Sequence, residues 1–391
     1  MAEGLRDKVA IVGFNAIRSG ELWDKSYEDM LLEAADGAFK EAGLEVKDIQ
    51  AAWLGLFYGG TGATLSRALK TGYIPVTKVE NACGTGADVL RNATIAVASG
   101  LYDIVLAAGC EKMKDEGGTG VPQTGGLKGT NLGAGGSTAG SAALYATAYM
   151  HKYGYSYEEF KAALGHIAVK NHLNGTKNPK AHFQKAITMQ QYNESPMMGW
   201  PLNLYDCCAN VDGAAAAIVT TPEIARQLKS NYALIKGIGS TTTDGWIDLA
   251  TGHDYASTPC NSNAARIAYE MAGVKDPVKE ISEFNVHDAF TIVELLCYES
   301  FGLCPPGQAP KYIEAGFFDA EGPMPVNTDG GLKCFGHPVG VTGLKSVYEP
   351  YLQVTGQAGP RQLRNVKLAA GHAQGGTSAS SSLVTILGAR D

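Results

Sequence analysis

The chain has 391 residues, of which 45% are hydrophobic and 18% charged, and 32 Lys and Arg stand against 39 Asp and Glu for a net charge of −7. That mixture excludes a mainly disordered chain, and its mild acidity speaks against nucleic acid as the main partner, because phosphate binding relies on clustered Lys and Arg. Glycine, at 49 residues, argues against a helical bundle and for many tight turns and close backbone approaches.

Residues 8–14 (KVAIVGF) read as a buried strand, and residues 26–42 as a helix with Met30, Leu31, Ala34, Ala38 and Phe39 on one face and Ser26 as its N-cap. Strands are expected at 51–57, 76–80 and 103–108, with a helix running on from the small residues after position 80. Alternation of this kind predicts an α/β layer built on right-handed crossovers. From 115 to 140 the chain turns to Gly, Thr and Ser and reads as a loop insertion, followed by a helical region from 142 to 172. His166 and His172 share that helix with Lys161 and Lys170, a face that reads as solvated. Apolar patterning resumes at 212–221 (DGAAAAIVTT). A second series follows: strands at 233–238 and 281–286, helices around 264–272 and 292–298, a helix opened by a Gly-rich turn over 336–351, and closing strands at 366–370 and 382–387. The two series share a plan, which suggests duplication.

None of the eight cysteines forms a CxxC pair, so neither a zinc ribbon nor a thioredoxin-type site is encoded. The N-terminus lacks an apolar signal segment and no stretch is long and apolar enough to span a bilayer, so free thiols in a reducing cytoplasm are expected, with no membrane association.

Four segments carry chemistry. Cys83, in VENACGTGA (79–87), sits at a strand-to-helix turn among small residues, where the helix start favours thiolate; the competing reading is a small core cysteine. His337, in GGLKCFGHPVGVTG (330–343), is wedged between Gly and Pro at a helix start and is poorly placed to fill a core. An imidazole there can take a thiol proton and then stabilise a thiolate or an oxyanion. His287, in NVHDAF (285–290), and His372, in AGHAQGG (370–376), each follow an apolar run. A thiol and three imidazoles at strand ends, without metal-ligand spacing, suggest covalent acyl transfer through a thioester and no metal.

These segments, in this order, resemble the thiolase superfamily, and within it the sterol-carrier-protein-type thiolases. The resemblance covers essentially the whole chain and includes KNH (170–172), NP (178–179), PLNLYDCC (201–208), DGAAA (212–216) and PVNTDGG (325–331). It implies a five-layered αβαβα fold of two related halves: residues 1–115, completed by about 205–225, and residues 226–391. Residues 116–204 would form an inserted loop domain contributing to coenzyme A binding. It further implies Cys83 as the acylated nucleophile, His337 as its activator, and an oxyanion hole of His287 and His337. A second oxyanion hole would use the Cys83 N–H and an N–H of the turn at Gly375.

The chain departs from the ordinary pattern in two places. His372 stands where a second, acid/base cysteine is usual, and the HDCF motif of many sterol-carrier-type relatives reads His287-Asp288-Ala289-Phe290. Proton transfer to carbon is therefore expected from His372, His287, a tyrosine such as Tyr58, or Cys334. Tyr58, Ala289, Phe290 and Cys334 are expected to line the substrate site, with Ala289 leaving room for a bulky or aromatic acyl group. The implied activity is coenzyme A-dependent cleavage of a 3-oxoacyl-CoA such as benzoylsuccinyl-CoA. Condensation of two acetyl-CoA and a retro-aldolase on acyl-CoA side chains are the alternatives. Coenzyme A is co-substrate, with no permanently bound cofactor. A small zinc-ribbon/OB-fold subunit is the expected partner around a homodimer core, because the Gly/Thr loop at 117–140 is ill-suited to cover a ligand alone.

Overall fold

The structure, a computed structural model, describes residues 4–116, 137–243, 253–376 and 379–390. The expected loop insertion lies outside these residues except at its two ends.

The N-terminal half runs β1 (Ala10–Ala16), α1 (Tyr27–Ala42), β2 (Ala51–Gly55), α2 (Gly62–Leu69), β3 (Val76–Val79), α3 (Thr85–Ala98) and β4 (Ile104–Lys112). Ser26 caps α1 as expected: its hydroxyl accepts from the Asp29 N–H while the Asp29 carboxylate accepts from the Ser26 N–H. Next come α4 (Thr138–Tyr153), α5 (Tyr157–Gly175), α6 (Met189–Glu194) and the hairpin β5 (Met197–Gly199)–β6 (Leu202–Asn203). The helical region read as continuous breaks in two because Gly154 ends α4 at a φ of +72° and Ser156 caps a new helix. The chain then returns through β7 (Asp212–Thr220) and α7 (Pro222–Leu228).

The C-terminal half runs β8 (Ala233–Thr242), α8 (Pro259–Ala272), α9 (Pro277–Glu280), β9 (Glu283–Asn285), α10 (Thr291–Ser300), α11 (Ala309–Glu314), α12 (Gly331–Phe335), α13 (Thr342–Thr355), β10 (Leu368–Gly375) and β11 (Ser381–Ala389). Two expectations are corrected here. The last long helix begins at Thr342, so His337 lies in the loop between α12 and α13, where Gly336 at φ +103° and Pro338 interrupt the helix. His372 lies inside β10, because that strand stays laddered to β11 as far as Gly375.

Among the described residues nine strands form one sheet, in the order β3-β2-β4-β7-β1-β8-β11-β10-β9. The halves repeat each other. β4 pairs antiparallel with β7 and parallel with β2, as β10 pairs antiparallel with β11 and parallel with β9. β7 is antiparallel to β1 as β11 is to β8. The counterpart of β3 shrinks to one parallel bridge, Phe284 to Val326. Within the sheet of the described residues, the halves join at Ala10–Leu234 and Ile11–Ala233.

Strand β7 shows why the sequence builds layers. Ala215, Ala217 and Val219 face a core shared with α3 and α13, while Ala214, Ala216 and Ile218 face a core shared with α1. Alternate residues thus serve opposite faces of a strand covered on both sides, and alanines let the helices approach closely. Across the other half, Ala370, Val384 and Ile386 pack with α8 and α10. The layers are therefore α1/α2, N-terminal strands, α3/α13, C-terminal strands and α8/α10. In the central layer the crossing is tight: a Cβ on Gly343 of α13 would lie 2.0 Å from the Ala87 nitrogen of α3.

The Lys161–Lys170–His172 face of α5 is buried, not solvated. Lys161 pairs with Asp206 at 2.9 Å and Lys170 with Glu294 at 2.7 Å, so neither ammonium is carried inward unpaired. His172 packs between Phe183 and Tyr205. Among the described residues no helix is long and apolar enough to cross a membrane.

Candidate active site

Cys83 reaches its place through a strained turn. Ala82 adopts φ +48°, a left-handed conformation costing a non-glycine residue roughly 1 kcal/mol. The turn is held from several sides: the Asn81 N–H donates to Thr85 Oγ1 (2.8 Å), the Thr85 hydroxyl donates to the Ala82 carbonyl (2.6 Å), and the Gly84 N–H donates to the Asn81 carbonyl (3.0 Å). Cys83 is thereby set just before α3, buried, with Met113, Val339, Phe57 and Tyr58 packed around it.

His337 approaches from the other half. Its N–H donates to the Ala209 carbonyl (2.8 Å), and its ring nitrogens meet Thr342 Oγ1 (Nδ1, 2.6 Å) and Cys83 Sγ (Nε2, 3.3 Å). The Thr342 hydroxyl donates to the Pro338 carbonyl (3.1 Å), so its lone pairs must accept from Nδ1–H. That fixes the tautomer and turns the lone pair of Nε2 toward the thiol.

The electrostatics correct one expectation. Burial pushes the Cys83 thiol up to about 11, although the Gly376 N–H and the Cys83 N–H both reach the sulfur. Burial, with the Lys345 ammonium nearby, holds His337 down at about 4. The thiol's rise corresponds to about 3 kcal/mol, more than the roughly 0.3–2 kcal/mol a helix N-terminus supplies. Desolvation therefore wins over the helix start, and the resting pair is thiol and neutral imidazole.

His287 completes a cluster: one ligand atom each from Cys83, His287 and His337 all lie within 4.8 Å of one another. The His287 ring stands 5.3 Å from that of His337 at 84°, and its Nδ1 is buried without a hydrogen-bond partner. Burial, reinforced by the neighbouring imidazoles, keeps His287 neutral. His372 is committed differently. Its Nδ1 accepts the His287 N–H (3.3 Å) and its Nε2 faces Asn261 Oδ1 (3.2 Å), so neither nitrogen is free to carry a substrate proton. Burial depresses its pKa to about 3.

The remaining candidates divide. Tyr58 packs against Cys83, and it is Gly376, one residue past Gly375, whose N–H reaches the sulfur. Ala289 and Phe290 are buried against the 207–208 segment, where the Cys208 N–H donates to the Ala289 carbonyl (2.9 Å) and Cys207 pairs with Phe290. Cys334 is not brought to the site: it is fully buried under α5, its thiol directed at the Asn171 carbonyl (3.3 Å). All eight cysteines are free thiols.

Sequence reasoning missed Glu111. This buried carboxylate at the end of β4 accepts from the N–H groups of Phe57 (2.8 Å), Tyr58 (3.1 Å) and Gly340 (3.0 Å), pinning the Tyr58 and His337 loops together. Burial pushes its pKa to about 7. Asn261 was missed too, because its partner Gln374 lies 113 residues away; Thr342 and Gln374 fall inside the segments singled out, without a role of their own assigned there.

With this geometry in place, the comparisons with known proteins agree. Residues 9–198 match the family "Thiolase, N-terminal domain" and residues 247–389 the family "Thiolase C-terminal domain-like". The chain is 35% identical over 381 residues to the acetyl-CoA acetyltransferase of Methanothermobacter thermautotrophicus, covering 95% of this chain and 97% of that one. It is 29% identical to the benzoylsuccinyl-CoA thiolase subunit BbsB of Thauera aromatica, covering 95% and 96%. A solved structure titled "Ltp2-ChsH2(DUF35) aldolase" superposes with a TM-score of 0.86 at 26% identity, covering 98% of each chain. A cysteine turn and a histidine loop contributed by two repeated halves, with thiolase domain families matching both ends of the chain, make this chain a thiolase-family acyltransferase of the sterol-carrier-protein type.

Proposed function

We propose that the protein is a coenzyme A-dependent C-acyltransferase that cleaves a 3-oxoacyl-CoA through a thioester on Cys83. The observation that carries this reading is the 3.3 Å contact between His337 Nε2 and Cys83 Sγ. As Sγ attacks the 3-keto carbon, its proton passes to Nε2. The C2–C3 bond then breaks, its electron pair takes up at C2 the proton held on His337 Nε2, and the shorter acyl-CoA leaves. The thiol of free coenzyme A attacks the acyl-Cys83 carbonyl and restores the thiol. His287 and the protonated His337 face the oxygen developing at the substrate's thioester, and the N–H groups of Cys83 and Gly376 face that of the acyl-enzyme.

For substrate we propose a bulky or aromatic 3-oxoacyl-CoA, benzoylsuccinyl-CoA being the example, supported by Ala289 and by the likeness to BbsB. The likeness to an acetyl-CoA acetyltransferase supports a second reading, condensation of two acetyl-CoA. Residues 116–204 serve as the loop domain for coenzyme A, with 1–115, completed by about 205–225, and 226–391 as the two halves. Coenzyme A is the co-substrate, and the enzyme works in the cytoplasm as a homodimer core joined by a small zinc-ribbon/OB-fold subunit. The paired name of the aldolase structure and the subunit status of BbsB support that partner.

The test is to incubate the protein, with and without the co-expressed small subunit, with 3-oxoacyl-CoA esters and coenzyme A. Intact mass then identifies the group on Cys83. An acyl adduct that vanishes in Cys83→Ser is expected; turnover without an adduct, or full turnover by the variant, overturns the thioester route.

A further inference from the structure

His372 begins a chain of hydrogen bonds that ends beside the nucleophile. The His287 backbone N–H donates to His372 Nδ1 (3.3 Å), which therefore holds a lone pair, so the proton of this neutral ring sits on Nε2. Nε2–H faces Asn261 Oδ1 at 3.2 Å, with the Ser382 hydroxyl also 3.3 Å away. Asn261, its oxygen so engaged, turns its amide nitrogen to Gln374 Oε1 (2.8 Å) and to Thr258 Oγ1 (3.2 Å). Gln374 in turn donates to the Gly376 carbonyl (3.0 Å). Gly376 is the residue whose N–H reaches Cys83 Sγ. The Cys297 thiol, 3.7 Å from His372 Nδ1, can donate only into the same lone pair.

The three side chains are almost completely enclosed: Asn261 and Gln374 are 0% exposed and His372 is 1% exposed. They come from α8 and from β10, and every link points the same way, from the His287 amide to the Gly376 carbonyl. A chain of uniformly oriented hydrogen bonds in a low-dielectric interior polarises itself, and reversing one link would leave two donors or two acceptors facing each other.

We propose that Asn261 and Gln374 are positioning residues that, through the Nε2–H tautomer of His372, hold the His287 and Gly376 ends of the site in fixed register. His372 thus acts as a rigid acceptor for the backbone that carries His287 and not as an acid or base. The consequence rests on the acyl-transfer reading above: both places where negative charge develops on oxygen are set by one relay, so cutting it anywhere degrades carbon–carbon cleavage to the same degree.

The experiment uses Asn261→Leu, Gln374→Met and their double variant, each confirmed folded by its thermal transition. Expected are a fall in kcat for cleavage of at least tenfold in each single variant, KM for coenzyme A within twofold of wild type, and a double variant no worse than the poorer single. Single variants that keep kcat within twofold, or losses that multiply in the double, overturn the relay. Should the variants not fold, nitrogen-15 spectra of histidine-labelled wild type decide, with His372 assigned by its absence in His372→Gln. An Nε2–H ring unprotonated from pH 6 to 9 is expected; an Nδ1–H ring, or one titrating in that range, refutes the proposal. Wild type that forms no acyl-Cys83 would instead refute the acyl-transfer reading, while the tautomer result stands by itself.

Discussion

The hydroxyl of Thr342 lies 2.6 Å from Nδ1 of His337 while donating its own proton to the Pro338 carbonyl. It is an acceptor for the imidazole and nothing else, which makes it the residue that decides which ring nitrogen faces the thiol. Thr342→Val keeps the shape and removes the acceptor. Stranding a buried donor costs about 1–3 kcal/mol, so kcat should fall roughly 5- to 150-fold with little change in KM, measured as steady-state cleavage of a 3-oxoacyl-CoA. Unchanged kcat would remove Thr342 from this role.

Because burial sets the Cys83 thiol near 11 and His337 near 4, the resting enzyme holds a neutral pair. Alkylation of Cys83 by iodoacetamide, followed by mass mapping, should accelerate about tenfold per pH unit from 7 to 10, since only thiolate reacts. A rate that levels off below pH 8 would instead reveal a stable thiolate–imidazolium pair.

Buried histidines should make stability depend on pH in mild acid. His337, His172 and His372 are held by burial at about 4, about 4 and about 3, below their unfolded value of 6.5. Between those values the unfolded chain binds more protons, so their contribution is complete above pH 6.5 and is lost as pH drops through the folded values. His337 alone accounts for about 3 kcal/mol. Glu111, raised from 4.5 to about 7, acts oppositely: its contribution is present below 4.5 and lost as pH rises through 7. Buried Asp288, raised to about 6, and Glu283, Glu299 and Glu349, also raised by burial, act in the same sense as Glu111. The histidine contribution is therefore read as a difference: from pH 6.5 to 5 the urea midpoint of wild type should fall relative to that of His337→Gln, and a constant difference counts against a buried neutral His337.

Glu111 anchors three backbone N–H groups. Glu111→Ala leaves them without their carboxylate, so a loss of about 2–4 kcal/mol is expected by denaturant titration, with weakened turnover because the Tyr58 and His337 loops are untied. A fully active variant of wild-type stability would show that water replaces the carboxylate.

Much of this molecule could be read from the chain alone, because much of it is local. Ser26 announces the start of α1 three residues ahead of its own partner, and DGAAAAIVT carries the alternation of a strand covered on both faces. Cys83 and His337 stand out because each sits among glycines, with Pro338 after the histidine, where no apolar periodicity continues. What escaped depends on contacts far apart in sequence. Asn261 meets Gln374 across 113 residues and Glu111 meets Gly340 across 229, and no window of sequence holds both partners. Cys334 misled because its short helix turns the thiol toward α5, and His372 because β10 runs on past it. Lys161 and Lys170 looked solvated because the carboxylates that admit them to the interior lie 45 and 124 residues away.

The close approach of Gly343 to Ala87 fastens the helix that follows Cys83 to the helix that follows His337, with no side chain between them at that point. The sulfur–nitrogen separation is thus inherited from a close-packed joint. A methyl added at Gly343 would meet the Ala87 backbone and spread Cys83 from His337, so variation in this framework falls to the loops that frame the joint.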